Sequence, residues 1–508
     1  MIRFARCTIL VLLAGYLIFN KPFALLGVMP FYAGEVALLI LLVTSLIHFR
    51  TFWIEPLKNF WMPRLTLAFL IYGSIRVLVD IAGHYPDSMD AARDGVCVGY
   101  ALFALLAPPL VLKRTGYFES LLIGMSFLAL NWVFLNQFIS VTTELPRVLT
   151  NNNKPDMLSL SALVAAWVFG WAAYDGHKSI QFLQNLPSRL GGFDPSSHTA
   201  SSESWKQAPH VKLMVSAHRK MTVLNAMLSI FAFILVFRMR TRAAWLAAAV
   251  LIAFLIALNI RRLLNRYAFT IAAVAAALIW FIGVPWFEHS QTPLAEKVRA
   301  TFGAQPYELI GGDAQNVSRN TEWRRIFWKR CIEQTVARAP WFGLGFGVNL
   351  TDLMVQTPDW WRYIDSQKLI PPNRNPHNAA VTILSRSGFV GLALWAALMI
   401  GTAIMGFRSC LAPPPAPPSL VGKGVGGLGL SGKGAGVSSL IFGVWLIYVS
   451  YALVGDVIEN PFGGIWFWVL TGAIGALEVA RASVPARPSE SPDSQSGELW
   501  RAQRPAPL

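Results

Sequence analysis

The chain has 508 residues, of which 54% are hydrophobic and 14% are charged, and its net charge is +16. Soluble domains carry about 25% charged residues, so this composition excludes an ordinary soluble protein and predicts an all-α polytopic membrane protein. The positive charge does not indicate nucleic-acid binding, because the basic residues lie mostly in short loops between apolar runs, as topology signals do.

Twelve apolar runs are long enough to cross a membrane as helices, since a hydrocarbon core about 30 Å thick takes about 20 helical residues. The first run is the shortest. We interpret it as a retained span, with a cleaved signal peptide as the alternative. The predicted spans are 5–20, 30–48, 62–80, 95–112, 117–138, 157–175, 221–238, 243–260, 267–287, 379–407, 439–458 and 462–480.

The loops on the two sides of these spans differ in charge. Basic residues such as Lys113 and Arg114 lie in one set of alternate loops, and acidic residues such as Asp80 and Asp94 lie in the other set. Because positive charge marks the cytoplasmic side, both termini are predicted to be cytoplasmic. The long loop at 288–376 is then exported.

Composition divides the chain into five predicted segments. The linker contains a run of prolines followed by a run of glycines and has no means of packing, and the tail is polar and predicted to be disordered. The segments are a first set of helices at 1–238 with a cytoplasmic loop at 176–220, a second region at 239–408 that contains the exported loop, the linker at 409–438, two further helices at 439–484 and a cytoplasmic tail at 485–508.

The exported loop is predicted to be folded. Residues 321–339 contain no glycine and have helical character, and this helix should stop before Pro340. Asn320 or Thr321 is the predicted N-cap. Five tryptophans lie between Trp323 and Trp361, a density that is unusual in a flexible connection.

Arginines on the exported side are candidate functional residues. Arg242 opens a predicted helix on the side where positive charge is disfavoured, and lipid anchoring is the alternative interpretation. Arg324 lies four residues before Trp328 and so shares its helix face, and a guanidinium fork suits phosphate. The alternative is a helix with its charges in solvent. That alternative applies most to Arg325, which we nevertheless include among the substrate-binding candidates.

His377 and Asn378 lie where the exported loop re-enters an apolar run. An imidazole at the rim of a bilayer suggests a chemical role, although a lone histidine near a helix start is usually structural. Gly388 and Gly391 are predicted to permit close helix packing. The glycines of 343–347 are predicted to form a sharp turn, because the Lys-Ser/Thr of a phosphate-binding loop is missing.

No group of residues in the sequence predicts a metal site. The four cysteines are scattered without a CxxC pair, so neither a disulfide framework nor a zinc site is expected. The exported side also has no clustered carboxylates and histidines. We therefore expect chemistry that uses neither a metal nor a cofactor.

Together these motifs resemble the signature of the O-antigen ligase and polymerase family of bacterial membrane glycosyltransferases. That signature has an Arg four residues before a Trp, a Pro-x-x-Gly-x-Gly turn, and His-Asn with glycines eleven and fourteen residues after the His. An upstream Ser-Arg-Gly motif is replaced here by Thr-Arg-Ala, a departure at two of three positions. The matching residues are Arg324, Trp328, Pro340, Gly343, Gly345, His377, Asn378, Gly388 and Gly391, with Thr241, Arg242 and Ala243 upstream.

The resemblance implies transfer of a glycan from undecaprenyl pyrophosphate on the periplasmic side of a bacterial inner membrane. It implies His377 as a general base, Arg324 and Arg242 as a pyrophosphate clamp, and Asn378 and Trp328 as substrate-binding or supporting residues. The acceptor would be lipid A-core or a similar molecule. Polysaccharide-assembly proteins are further possible partners, and nucleic acid is not expected.

Three other functions stay open at the sequence level. A polymerase of the same family would add the glycan to another lipid-linked repeat. A transporter of lipid-linked sugars predicts charges within spans and internal repeats, and Arg76 is the one conspicuous charge that we identify within a predicted span. A non-catalytic scaffold would tolerate loss of His377.

Overall fold

The structure, a computed structural model, describes residues 1–24, 26–28, 31–83, 88–112, 115–142, 155–189, 209–239, 241–263, 312–350, 352, 376–411, 434–455 and 460–482. The described part is helical, apart from an antiparallel pair of two-residue strands, β1 and β2, at Gly27–Val28 and Phe31–Tyr32. The predicted all-α class is therefore confirmed. Both ends of the predicted linker at 409–438 are helical, and its middle, 412–433, lies outside the described residues, as do the tail at 485–508 and more than half of the exported loop.

The α-helices are numbered here in chain order, and a short π-helix at Arg50–Ile54 lies between α3 and α4. They are α1 Ile2–Phe19, α2 Lys21–Ala24, α3 Ala33–Ile47, α4 Glu55–Asn59, α5 Trp61–Ala82, α6 Ser88–Gly99, α7 Leu102–Leu106, α8 Pro108–Val111, α9 Thr115–Thr142, α10 Pro155–Arg189, α11 Pro209–Met239, α12 Arg242–Leu263, α13 Gly312–Arg338, α14 Ala379–Leu411, α15 Gly434–Val454 and α16 Pro461–Ala482.

Seven of these helices are long and apolar enough to cross a membrane: α1, α5, α9, α10, α11, α14 and α15. A bent pair, Ala33–Ile47 with Arg50–Lys58, meets at 101° and could form one more span. The shorter apolar helices Ala243–Leu258 and Gly463–Glu478 match two further predicted spans. The protein is a multi-pass membrane protein, and the ninth predicted span, 267–287, lies outside the described residues.

The predicted span at 95–112 is wrong as a single helix. The segment contains the end of α6 and then the short helices α7 and α8. Proline at two successive positions, Pro108 and Pro109, removes two backbone donors and stops α7. A turn at Tyr100 and Ala101 separates α7 from α6.

The helices α10 and α11 continue well into the predicted cytoplasmic loop at 176–220. At 1.5 Å per residue, the 35 residues of α10 extend about 52 Å, more than a hydrocarbon core requires. The two helices pack on each other, and the Ser229 hydroxyl of α11 donates to the Ala166 carbonyl of α10 at 2.8 Å. Residues 176–189 and 209–220 of the predicted loop are therefore helical, and 190–208 lie outside the described residues.

The buried centre of the helix bundle lies around α15 and α16, where large aromatic side chains are almost fully buried. The Trp466 indole donates to the Leu13 carbonyl of α1 at 3.0 Å. The Trp445 indole of α15 donates to the Thr471 hydroxyl of α16 at 3.0 Å. Lipid tails are as apolar as these side chains, so tight packing and such interhelical hydrogen bonds hold the helices together.

The long helix α14 is broken at Gly388, whose φ of 66° is not helical. The Phe389 amide would bond the Ser385 carbonyl in a continuous helix, but it donates to the Pro340 carbonyl at 2.8 Å. The Ser385 carbonyl instead accepts from the Leu344 amide at 2.7 Å. The segment that follows α13 is thus joined to α14 by main-chain bonds at the break.

Candidate functional site

The helix α13 positions Arg324 and Trp328. It begins at Gly312, so the prediction that Asn320 or Thr321 caps its start is wrong. The start was missed because 312–320 is rich in Asn, Gly and Ser, which have low helix propensity. The helix ends at Arg338, one residue from the predicted end before Pro340.

His377 is held in a left-handed backbone conformation, with a φ of 54°. Few non-glycine residues adopt this conformation, although histidine does so more often than most. Its two neighbours are fixed: the Trp328 indole donates to the Pro376 carbonyl, and the Asn378 amide donates to the Leu453 carbonyl at 2.8 Å. The strained residue is therefore held from both sides.

Asn378 also serves as the N-cap of α14. Its side-chain oxygen accepts from the Val381 amide at 3.1 Å, the usual bond of a capping asparagine. Both ends of its side chain are therefore in contact with the protein itself. This geometry fits support of His377 better than direct contact with a substrate.

Arg324 reaches from α13 to the end of α15. One of its Nη atoms donates to the Val454 carbonyl at 2.8 Å. Its Nε is buried and has no hydrogen-bond partner among the described residues. A buried donor without a partner is costly, so an acceptor at this place would stabilise the site. The neighbouring Arg325 is exposed.

Arg242 begins α12, and its side chain lies outside the described residues. The residue before it, Thr241, is buried, and its hydroxyl is 2.7 Å from that of Ser159. The Ser159 hydroxyl is in turn 2.8 Å from that of Tyr451 on α15. The start of α12 is thereby connected to the end of α15.

The last turn of α15 is the place where the three predicted motifs meet. Tyr451 connects to the segment of Arg242, the Leu453 carbonyl accepts from Asn378, and the Val454 carbonyl accepts from Arg324. Sequence reasoning missed this contribution of α15. No sequence signal could have found it, because two of the three contacts are made by main-chain carbonyls.

A second missed feature is a buried charge in α14. Arg386 is 1% exposed and forms an ion pair with Asp94 at 2.8 Å. The prediction that Arg76 is the one conspicuous charge within a span is therefore wrong, and the signal was present as an arginine inside the apolar run 379–407. Arg76 itself pairs with Asp80 at 3.0 Å.

The glycines behave largely as predicted, with one correction. Gly343, Gly345 and Gly347 all have positive φ, as a sharp turn requires. A methyl group on Gly391 would overlap the Ser387 side chain of the same helix and come 3.2 Å from the Tyr72 ring of α5, so close helix packing is one of two constraints there. A methyl group on Gly388 would instead overlap the Trp341 carbonyl, so this glycine admits a loop and not a helix.

The site can be characterised further by one buried thiol and by a search for metal ligands. Burial raises the pKa of the Cys331 thiol of α13 to about 12, so this thiol stays protonated and is a poor nucleophile at neutral pH. Within the described ranges, no three His, Cys, Asp or Glu side chains gather closely enough to share a metal ion.

Fold and site together define a multi-pass α-helical membrane protein with arginine, histidine and asparagine assembled at one end of its helices. Residues 227–396 match the family described as O-antigen ligase. The match covers about a third of the chain and supports the resemblance to the O-antigen ligase and polymerase family that the motifs indicated. This is a glycosyltransferase-like family. None of the curated proteins matches the chain.

Proposed function

We propose that the protein transfers a glycan from undecaprenyl pyrophosphate to an acceptor such as lipid A-core. The reaction takes place at the periplasmic face of a bacterial inner membrane, inverts the anomeric centre and needs neither metal nor cofactor. The observation that carries the proposal is the meeting of the segments of Arg242, Arg324 and His377 at the last turn of α15. The family match over residues 227–396 supports the reaction class.

Arg324 is proposed to bind the pyrophosphate of the donor. Its Nη bond to the Val454 carbonyl fixes the guanidinium, and its buried Nε is left to donate to a ligand. A planar guanidinium matches two phosphate oxygens at once. Donors that are already in place stabilise charge that develops on the leaving group without reorganisation. Arg242, at the start of α12, is proposed to complete this clamp.

His377 is proposed to act as the general base. An acceptor hydroxyl must lose a proton as it attacks the anomeric carbon, and a neutral imidazole can accept that proton. Bonds to the residues on both sides of His377 restrict the direction in which its side chain can point. Such restriction is what proton transfer in a defined geometry requires.

The remaining candidates receive supporting roles. Trp328 and Asn378 hold the backbone on either side of His377 and position it. Arg325 is exposed one residue from Arg324 and is proposed to contact the donor from solvent. None of these roles requires a further cofactor.

The proposed donor site must lie on the periplasmic side of the membrane. The distribution of charge along α14 supports an orientation in which the end with His377 faces that side. Arg408 lies in the last turn of α14, thirty-one residues after His377. At 1.5 Å per residue, the helix after Gly388 covers about 30 Å before it reaches Arg408, close to one hydrocarbon thickness. With the arginine inside, as topology rules favour, the end with His377 lies outside.

The test is the lipopolysaccharide banding pattern of a strain that lacks the gene and carries a plasmid copy. His377→Asn is preferred to His377→Ala, because asparagine adopts the left-handed backbone of position 377 readily but cannot act as a base at neutral pH. We expect transfer to fall by about 10²- to 10⁴-fold, the usual contribution of a general base. Lys329→Ala, on an exposed part of α13, is the matched control and should retain transfer.

The banding pattern also separates the alternatives. Loss of every glycan-bearing band, with chains that accumulate on undecaprenyl pyrophosphate, identifies a ligase. A core that carries a single repeat identifies a polymerase. Full rescue by His377→Asn would refute the role of the base and favour a transporter or scaffold.

A further inference from the structure

The loop that follows α13 is held by one buried ion pair, Arg386–Asp94, and one partly buried ion pair, Arg76–Asp80. We define the glycine loop as residues 343–348. Arg386 donates from one nitrogen to the Gly345 and Val348 carbonyls at 3.1 and 2.6 Å, and its other nitrogen pairs with Asp94. Asp94 also accepts from the Gly347 amide at 3.0 Å. Arginine and aspartate thus bind the loop and each other.

The Arg76–Asp80 pair holds the glycine loop from α5. The Asp80 carboxylate accepts from the Phe346 amide at 2.7 Å. A methyl group on Gly345 would lie 2.8 Å from an Asp80 oxygen, so the close approach requires glycine. The loop is therefore fixed to α5, α6 and α14 at once.

Burial makes the Arg386–Asp94 pair sensitive to change. The two side chains are 2% and 8% exposed, and the small cavity beside Arg386, about 10 Å³, is lined mostly by apolar side chains. A buried ion pair gives little net stability, but removal of one partner leaves an uncompensated charge. We interpret this pair as one that fixes the geometry of the glycine loop.

The geometry that this pair fixes includes the position of Arg324. The glycine loop begins five residues after α13 ends at Arg338, and Arg324 lies about 21 Å before that end at 1.5 Å per residue. A tilt of about 3° at the loop would therefore move Arg324 by about 1 Å. Errors of this size can lower a rate by about 10²-fold.

We infer that Asp94 and Arg386 are positioning residues for transfer: they fix the glycine loop and thereby the placement of Arg324 on α13 relative to His377 on α14. The inference rests on the proposed function. Neither residue contacts substrate, because Arg386 is occupied by Asp94 and by two loop carbonyls. The pair acts only through the main chain that it holds.

The test uses the full-length protein in lipid vesicles with a lipid-linked donor and purified acceptor. The double variant Asp94→Asn/Arg386→Gln removes both charges together, so that no unpaired charge is left to unfold the protein. We expect kcat to fall by about 10²-fold and the donor KM to rise by a smaller factor, because a displaced Arg324 holds the donor pyrophosphate less well and stabilises the charge on the leaving group much less. Arg386→Lys keeps the positive charge but not the planar set of donors, so its kcat should fall less than that of the double variant. Arg408→Gln on the exposed end of α14 is the matched control.

Hydrogen exchange provides a readout that does not depend on activity. In the double variant, amide exchange should rise at least about tenfold in the glycine loop and along α13, while the amides of α15 stay protected. Unchanged exchange in α13, or a rate equal to that of wild type, would overturn the inference. A uniform rise in all helices would also overturn it, because that result indicates general loss of stability. If the wild-type protein shows no transfer while the double variant shows the expected exchange pattern, the proposed function is refuted but the structural role of the pair is not.

Discussion

The two parts of α14 on either side of Gly388 derive from one apolar run but have different surroundings. From Val381 to Gly388 every residue is buried. After Gly388 buried and exposed residues alternate at helical spacing: Leu398 is fully buried, whereas Phe389 and Ile400 are exposed. The first part is surrounded by protein, and the second has one face directed to lipid.

The difference shows how a polar site can be built within apolar sequence. The first part contains Thr382, Ser385, Arg386 and Ser387, whose polar groups require partners when buried. The segment after α13 and the carboxylate of Asp94 provide several of those partners. The second part requires only packing on one face, as ordinary transmembrane helices do.

The largest loss of stability should follow from adding a side chain at the break in α14. Gly388→Ala places a methyl group against the Trp341 carbonyl and forces a left-handed backbone on alanine. We expect a loss of about 3–5 kcal/mol in the free energy of unfolding. SDS-induced unfolding in mixed micelles measures it, and Gly124→Ala on α9, where a methyl group meets no atom within 4 Å, is the control. Equal stability of both variants would show that the break is not required.

The second comparison stays within the lipid-exposed part. Leu398→Ala should cost about 2 kcal/mol, because it leaves a cavity among packed helices. Ile400→Ala, two residues away on the lipid side, should cost less than about 0.5 kcal/mol. The same unfolding assay ranks the two. Equal losses would contradict the assignment of one face to lipid.

The smallest effects concern single hydroxyl groups. The Tyr72 hydroxyl donates to the Ser387 carbonyl next to the break, so Tyr72→Phe should cost about 1 kcal/mol. Thr402 donates only to the Leu398 carbonyl of its own helix, so Thr402→Val should cost less than about 0.5 kcal/mol. If Thr402→Val is the more damaging of the two, the break does not depend on α5.

The sequence was sufficient for features that depend on local pattern. Long apolar runs predicted the seven helices that are long enough to cross a membrane. Pro340 marked the end of α13, and the spacing of Arg324, Trp328 and His377 indicated the family whose model matches. These features follow from hydropathy, from the missing amide of proline and from residue types at fixed intervals.

Features that depend on distant partners could not be predicted. The Asp80 and Asp94 carboxylates bond amides more than 250 residues away, and no local pattern encodes that pairing. The break at Gly388 was also missed, because a glycine in an apolar run fits helix packing equally well. Only the position of the segment after α13, which packs against α14, shows that this glycine lies at a break and not in a helix–helix contact.

The main-chain carbonyls at the end of α15 have a consequence for how tolerant the protein is of mutation. Substitutions at Leu453 and Val454 change side chains but leave the carbonyls that receive Asn378 and Arg324. A scan of single substitutions would therefore score both positions as permissive, although they anchor the site. The site depends on the length of the helix at this point and not on the identity of its residues. Selection should therefore remove insertions and deletions near 453–454 and tolerate substitutions there.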